Sequence, residues 1–142
     1  MKAGVRALGV AESYHGTDGA QSTLAGATVR ANRIVDGFVF GSCTVGGTDA
    51  TNAVIELYAD LDREDSRYLF LAGIAPAWYN VLDLSRIHDA TDRPVLSVSF
   101  EESDGLESSL RAEFSGPELD ARLDSYRAQP PRRRLSVNDE TV

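Results

Sequence analysis

The sequence predicts an α/β fold built on one mixed sheet, in which three antiparallel strands are followed by parallel strands with flanking helices. Two observations carry this. The first third of the chain has the two-residue rhythm of strands. From Asp49 onward helical spacing alternates with short apolar runs. At 142 residues and 42% hydrophobic content the chain is sized for one domain with a single core.

The elements follow in order. Val5–Val10 is a short apolar run, Thr23–Arg30 is rich in small and β-branched residues, and Ile34–Val45 holds Val35, Phe38, Val39, Phe40 and Val45. Ala31, Asn32 and Arg33 are a short connection, so the second and third segments are expected to form an antiparallel hairpin, with a bulge at Asp36-Gly37. Val54, Leu57, Tyr58 and Leu61 then fall at i, i+3, i+4 and i+7, which predicts a helix starting near Asp49. Tyr68–Ala72 is a short buried strand, Asn80–Thr91 a helix with Val81, Leu84 and Ile87 inward, and Pro94–Phe100 a further strand. This strand, helix, strand unit asks for parallel pairing. Leu106, Leu110 and Phe114 recur every fourth residue; Ser115 with Glu118 reads as a capping box and Phe114 with Leu119 as its hydrophobic staple, predicting a helix from Gly116 to about Gln129. The order is that of a ribonuclease H-like mixed sheet. One domain is expected over 1–129, and 130–142 reads as a loose Pro/Arg-rich segment or a shortened end of the same domain.

Charge is unusual. Twenty-two acidic against 14 basic residues give −8, and Lys2 is the only lysine. Abundant carboxylates with almost no lysine suit solubility in concentrated salt. They also argue against a general nucleic-acid binder, so any DNA contact should be local. The lone Cys43 has no partner for a disulfide, and no run of roughly 18 apolar residues is present to span a membrane. A cytoplasmic protein is expected.

A resemblance is carried by Gly9-Val10-Ala11-Glu12-Ser13, Val35-Asp36-Gly37, Thr44-Val45-Gly46-Gly47-Thr48-Asp49-Ala50-Thr51, Ala72-Gly73-Ile74 and Tyr79-Asn80-Val81-Leu82-Asp83. Over nearly the whole chain these segments resemble the archaeal endonuclease dU family, related to endonuclease V. The resemblance implies a metal-dependent nuclease acting on DNA with deaminated bases such as deoxyuridine. It departs from the family pattern at Ala11, where members carry an acidic residue, and at Gly46, where they often carry Asp. Members also tend to continue with a strand and helix beyond Val142.

Hydrolysis of a phosphodiester by two metals needs converging carboxylates, since Mg²⁺ and Mn²⁺ take oxygen ligands. The resemblance puts one carboxylate on the first strand, one at the first helix and one at the end of the fourth strand. Glu12 and Asp49 stand at the first two stations as metal ligands and catalytic residues. The third falls at Ala72 or Gly73, which cannot ligate, unless Asp83 or Asn80 reaches in. Each has an ordinary reading beside this one. Glu12 fits a surface carboxylate at a strand end, Asp49 an N-cap, Asp83 a charge in a helical first turn, and Asn80 that helix's N-cap.

For substrate, Gly46-Gly47 could bring amides to a phosphate or simply make a turn. Trp78 and Tyr79 offer faces for an extruded base, or pack. Arg132 and Arg133, with Arg134, could meet a phosphate backbone or balance acidic neighbours. His15 and His88 lack ligand-spaced partners, and Cys43 reads as a small core residue. The leading reading is thus a Mg²⁺- or Mn²⁺-dependent endonuclease. Its rival is a non-catalytic nucleic-acid- or protein-binding module of the same fold. A third reading, a structural partner in an acidic complex, requires a large exposed apolar patch.

Overall fold

The computed structural model describes residues 4–13, 19–101 and 103–142. Five strands form the main sheet: β1 (Arg6–Ser13), β2 (Gln21–Arg30), β3 (Val35–Thr44), β4 (Ser66–Ala72) and β5 (Val95–Val98), in the order β3-β2-β1-β4-β5. β2 is antiparallel to both β1 and β3, while β4 runs parallel to β1 and β5 parallel to β4. This is the mixed α/β sheet that the sequence predicts. Because β1, β3, β4 and β5 share one direction, their carboxyl ends all reach the same edge.

The β2–β3 hairpin turns through Ala31-Asn32-Arg33, with Arg33 in the left-handed region at φ 67°. Its register passes from Thr28↔Gly37 to Val29↔Val35, leaving Asp36 as the bulged residue. The bulge aims the Asp36 carboxylate at Arg6 Nε (2.7 Å), Arg30 Nε (2.8 Å) and Thr28 Oγ1 (2.8 Å). These hydrogen bonds, Arg6 foremost, then Thr28 and Arg30, outweigh the opposing effect of burial and hold Asp36 well below the usual carboxylate range.

Helix α1 (Ala50–Leu61) covers one sheet face, and Val54 and Leu57 meet Leu8, Val10, Leu24, Leu69 and Leu71 in the core. Cys43 is fully buried there. The opposite sheet face is open. Phe38 and Phe40 on β3 are 67% and 64% exposed, and Phe70 and Leu96 on the paired strands β4 and β5 are also exposed. Between these ridges the same face carries only Ala25, Ala27, Gly9 and Ala11, as the cross-strand pairs require.

Two expectations about helices need correction. The helix predicted over Asn80–Thr91 starts later, as α3 (Leu84–Thr91) with Asp83 as its N-cap accepting from Arg86 N–H at 3.0 Å. Ahead of it lies a single turn, α2 (Pro76–Tyr79), whose interior is left-handed. After α4 (Glu107–Glu113), helix α5 (Gly116–Arg127) does begin at Ser115, but the Ser115 side chain makes no capping bond. Gly116 enters the helix with φ 60°, an irregular first turn in which the capping box does not close. Phe114 packs edge-on to Tyr79 and beneath the Arg122 guanidinium.

The segment after Pro130-Pro131 is more ordered than the sequence suggests. Strands β6 (Ser136–Val137) and β7 (Glu140–Thr141) pair through Asn138 and Asp139, both at positive φ as a two-residue hairpin turn demands.

Candidate functional site

The carboxyl edge of the sheet gathers the candidate residues. Glu12 is the next-to-last residue of β1, where it pairs with Leu24 and alternates onto the face of buried Leu8 and Val10. Its Oε2 accepts from Ser22 Oγ at 3.1 Å. Ser22 stands opposite Cys43 on β3, and Thr44 follows with Asp49 in its grip. Cys43 ties the two acidic stations together: burial, then the nearby negative charges of Asp49 and Glu12, push its thiol up to about 11. Both carboxylates therefore act on one buried sulfur. That thiol stays protonated and is a poor nucleophile.

Asp49 stands at the N-cap position of α1, yet its side chain caps nothing. It turns back toward the preceding loop. Oδ1 accepts from Thr44 N–H (2.9 Å) and Asn80 Nδ2 (2.8 Å), and Oδ2 accepts from Thr44 Oγ1 (2.8 Å). Burial raises its pKa, but the Thr44 N–H, the Asn80 amide and the Thr44 hydroxyl together prevail and leave it below the ordinary value. The Asp49 carboxylate is thus ionised and fixed in direction.

Asn80 does the capping instead. Fully buried, it accepts the Ala50 N–H on Oδ1 at 2.9 Å and donates from Nδ2 to Thr44 O at 2.9 Å as well as to Asp49. One side chain thereby anchors the start of α1, the end of β3 and the candidate carboxylate. Of the two residues considered for the third station, Asn80 meets Asp49 through its Nδ2, while its Oδ1 is taken by the Ala50 N–H. Asp83 is engaged at the start of α3, its own N–H donating to Thr51 Oγ1 at 3.0 Å.

Asn80 is delivered by α2. Ala77, Trp78 and Tyr79 have φ of 51°, 59° and 58°, the left-handed region that costs a residue with a side chain roughly 1–2 kcal/mol. The turn is held from outside. Gly46 N–H donates to Ala77 O at 2.8 Å, and Arg122, only 5% exposed, donates to Tyr79 O at 3.3 Å and to Gly46 O at 2.7 Å. Trp78 is held edge-on to Tyr79 with its ring 37% exposed at the surface. Arg122 escaped the sequence reading, because an arginine within a helix of mixed residues looks like any solvated one. Its guanidinium 3.9 Å above the Phe114 ring, and its bonds to Gly46, Gly47 and Tyr79, join α5 to both loops of the site.

The Gly46-Gly47 amides do not face outward as a phosphate cradle. Gly46 N–H is taken by Ala77 O and Gly47 N–H by Thr44 O at 3.0 Å. A side chain at Gly47 would meet Thr44 Cβ at 2.8 Å, so glycine is needed there for close packing beside Asp49. Arg132 and Arg133 lie apart from Glu12 and Asp49, across the sheet beyond β5, in a groove with Phe100. Gly73, at the third station, takes φ 87° and donates to Val98 O at 2.9 Å. His88 bonds Arg93 O at the end of α3, and His15 lies outside the described residues.

Among the described residues no group of three or more His, Cys, Asp or Glu is placed to hold a metal ion. Two carboxylates remain. A carboxylate offers about four lone pairs, and Asp49 has used three of them, leaving one on Oδ2. The crevice beside Glu12, walled by Leu24, Val54, Leu71 and Leu82, has a volume of about 10 Å³. That is room for a water, not a nucleobase. No helix among the described residues is long and apolar enough to cross a membrane.

The mixed sheet in this order has an endonuclease V-like fold. The likeness is direct in solved structures: human ENDOV superposes with a TM-score of 0.51 at 13% identity, covering 76% of this chain and 54% of that one. Endonuclease V of Ciona intestinalis, solved with a 24mer DNA containing an inosine followed by a ribo-adenosine, gives 0.50 at 10% identity over 94% of this chain and 59% of that one. A protein of unknown function from Archaeoglobus fulgidus gives 0.79 at 23% identity, over 96% and 78%. The endonuclease dU family model matches residues 3–142, and the chain belongs to that family. A UPF0215 protein of Methanopyrus kandleri is 31% identical over 69% of this chain, and one of Pyrobaculum calidifontis 31% identical over 84%. The matched regions span 50% and 65% of those relatives' own lengths.

Proposed function

We propose that the chain is a cytoplasmic, metal-dependent endonuclease that hydrolyses a phosphodiester in DNA carrying deaminated bases, with deoxyuridine as the target. The observation that carries this reading is the hold on Asp49. A carboxylate immobilised by Thr44 and a buried Asn80 is more than a helix cap requires. Family membership and the endonuclease V-like fold support the reaction class.

Glu12 and the open lone pair of Asp49 suit one Mg²⁺ or Mn²⁺, with water and DNA phosphate oxygens completing its shell. Such an ion supplies Lewis-acid stabilisation and an acidified water. The chain's own residues perform the rest. Thr44 and Asn80 keep Asp49 ionised and aimed, Gly47 lets the loop close against it, and Arg122 holds the strained turn that delivers Asn80. Trp78 supplies a surface ring against which an extruded base can stack. Asp83 and the two glycines act through structure rather than by touching substrate.

The rival reading, a binding module of the same fold, draws on the missing third carboxylate and on the exposed face formed by Phe38, Phe40, Phe70 and Leu96. Incubating the chain with uracil- and inosine-containing duplexes, in Mg²⁺ or Mn²⁺ and at low and high salt, separates the two. The nuclease reading expects metal-dependent nicking of the uracil duplex and none of an undamaged control. Binding without nicking under every condition would establish the rival.

A further inference from the structure

The crevice at Glu12 is too small for a nucleotide, but a larger concavity lies along the same sheet edge. Beyond Val98 the chain continues through Ser99, Phe100 and Glu101, and Arg132, Arg133 and Arg134 face them across a groove of about 530 Å³. That volume is in the range of ligand sites.

Its composition is specific. Phe100 is 78% exposed, although burying such a ring is typically worth about 2–3 kcal/mol. Three consecutive arginines stand beside it in a chain of net charge −8, and among the described lining residues Glu101 alone brings a side-chain carboxylate. The arginine segment is braced, since Arg132 Nη2 donates to Ser103 O at 2.6 Å. An exposed aromatic face with adjacent guanidinium groups is the combination that holds unpaired nucleic acid, by stacking a base and neutralising its phosphates.

The geometry points to this groove as a binding site for an unpaired stretch of nucleic acid, with one base on Phe100 and flanking phosphates on Arg132–Arg134. The inference rests on the reading of the sheet's carboxyl edge as a DNA site and extends it. β5 is two strands from β1, so the groove lies roughly 10 Å along the edge from Glu12. One strand can engage both places. Stacking and phosphate contact are indifferent to sequence, so this groove positions the substrate strand and leaves base choice to the Trp78 side.

The test is fluorescence anisotropy of a labelled 12-nucleotide oligothymidylate, with the full chain and EDTA present so that metal chemistry plays no part. Three phosphate contacts on a single strand give a slope of log K against log salt of about −2. Phe100→Ala should weaken binding roughly 5- to 100-fold. Arg132→Ser combined with Arg133→Ser should make the slope shallower by about 1.4. Glu56→Gln, at an exposed carboxylate on α1 away from both places, should bind like wild type, and circular dichroism checks that each variant is folded. Unchanged affinity in folded Phe100→Ala and in the double-arginine variant would overturn the proposal, as would displacement of the oligonucleotide by a poly-glutamate peptide with equal potency. If the variants behave as expected but wild type cuts no damaged duplex, the nuclease reading falls and the groove stands. If wild type cuts and both groove variants bind and cut equally well, the groove falls alone.

Discussion

Asn80 is the residue on which the candidate site depends most. Its amide meets Ala50 N–H, Thr44 O and Asp49 Oδ1 in full burial, so truncation leaves buried polar groups without partners. Each such group costs roughly 1–3 kcal/mol, so Asn80→Ala should lower unfolding free energy by about 3 kcal/mol in denaturant titration. A loss under about 0.5 kcal/mol would mean the cluster is not held as described. Asp36 makes a different claim, about pH. Its folded pKa is depressed, so its contribution is fully present above the unfolded value of about 3.9 and is lost as pH falls from there toward the folded value. Asp36→Asn should therefore be less stable than wild type at pH 7, with the gap narrowing below about pH 4. A gap that stays constant from pH 7 to pH 3 would contradict the ion-pair account.

At the scale of elements, the strands were legible because their composition and short connections leave few alternatives, and the bulge at Asp36-Gly37 was visible as a polar pair inside an apolar run. What escaped were features imposed by tertiary contacts. Nothing in Pro76-Ala77-Trp78-Tyr79 announces a left-handed backbone, which is why Asn80 read as a helix start. Asp49 had the right type and place for an N-cap, and only the loop that brings Asn80 across from the far side of α1 turns it away. Ser115 and Glu118 had the spacing of a capping box, but the helix enters through Gly116 at positive φ and the Ser115 side chain makes no cap bond. Arg122 is where these contacts converge, and it offers an element-level test. Lysine keeps the charge but cannot reach several carbonyls at once while stacking on Phe114. Arg122→Lys should cost roughly 2 kcal/mol and increase hydrogen exchange at Gly46 and Asn80, whose N–H groups close the left-handed turn. Unaltered exchange at both amides would show that the turn holds its shape without α5.

For the whole molecule, the acidic composition and the fold divide the work. Repulsion from −8 overall suppresses indiscriminate contact with phosphate, so the proposed DNA contact would be confined to places where local groups overcome it. The site itself was half legible. Glu12 and Asp49 could be named from their motifs, whereas the residues that make Asp49 more than a cap lie 5 and 31 positions away and meet it only in the folded chain. The central claim is that these two carboxylates form a weak cation site completed by DNA. Calorimetry with Mn²⁺ and a non-cleavable uracil-containing duplex, on wild type and Glu12→Gln, tests it most directly. Wild type should take up Mn²⁺ appreciably only when the duplex is present, and Glu12→Gln should lose that uptake while keeping its fold. Equal uptake by both proteins, or none by either while the duplex binds, would contradict it.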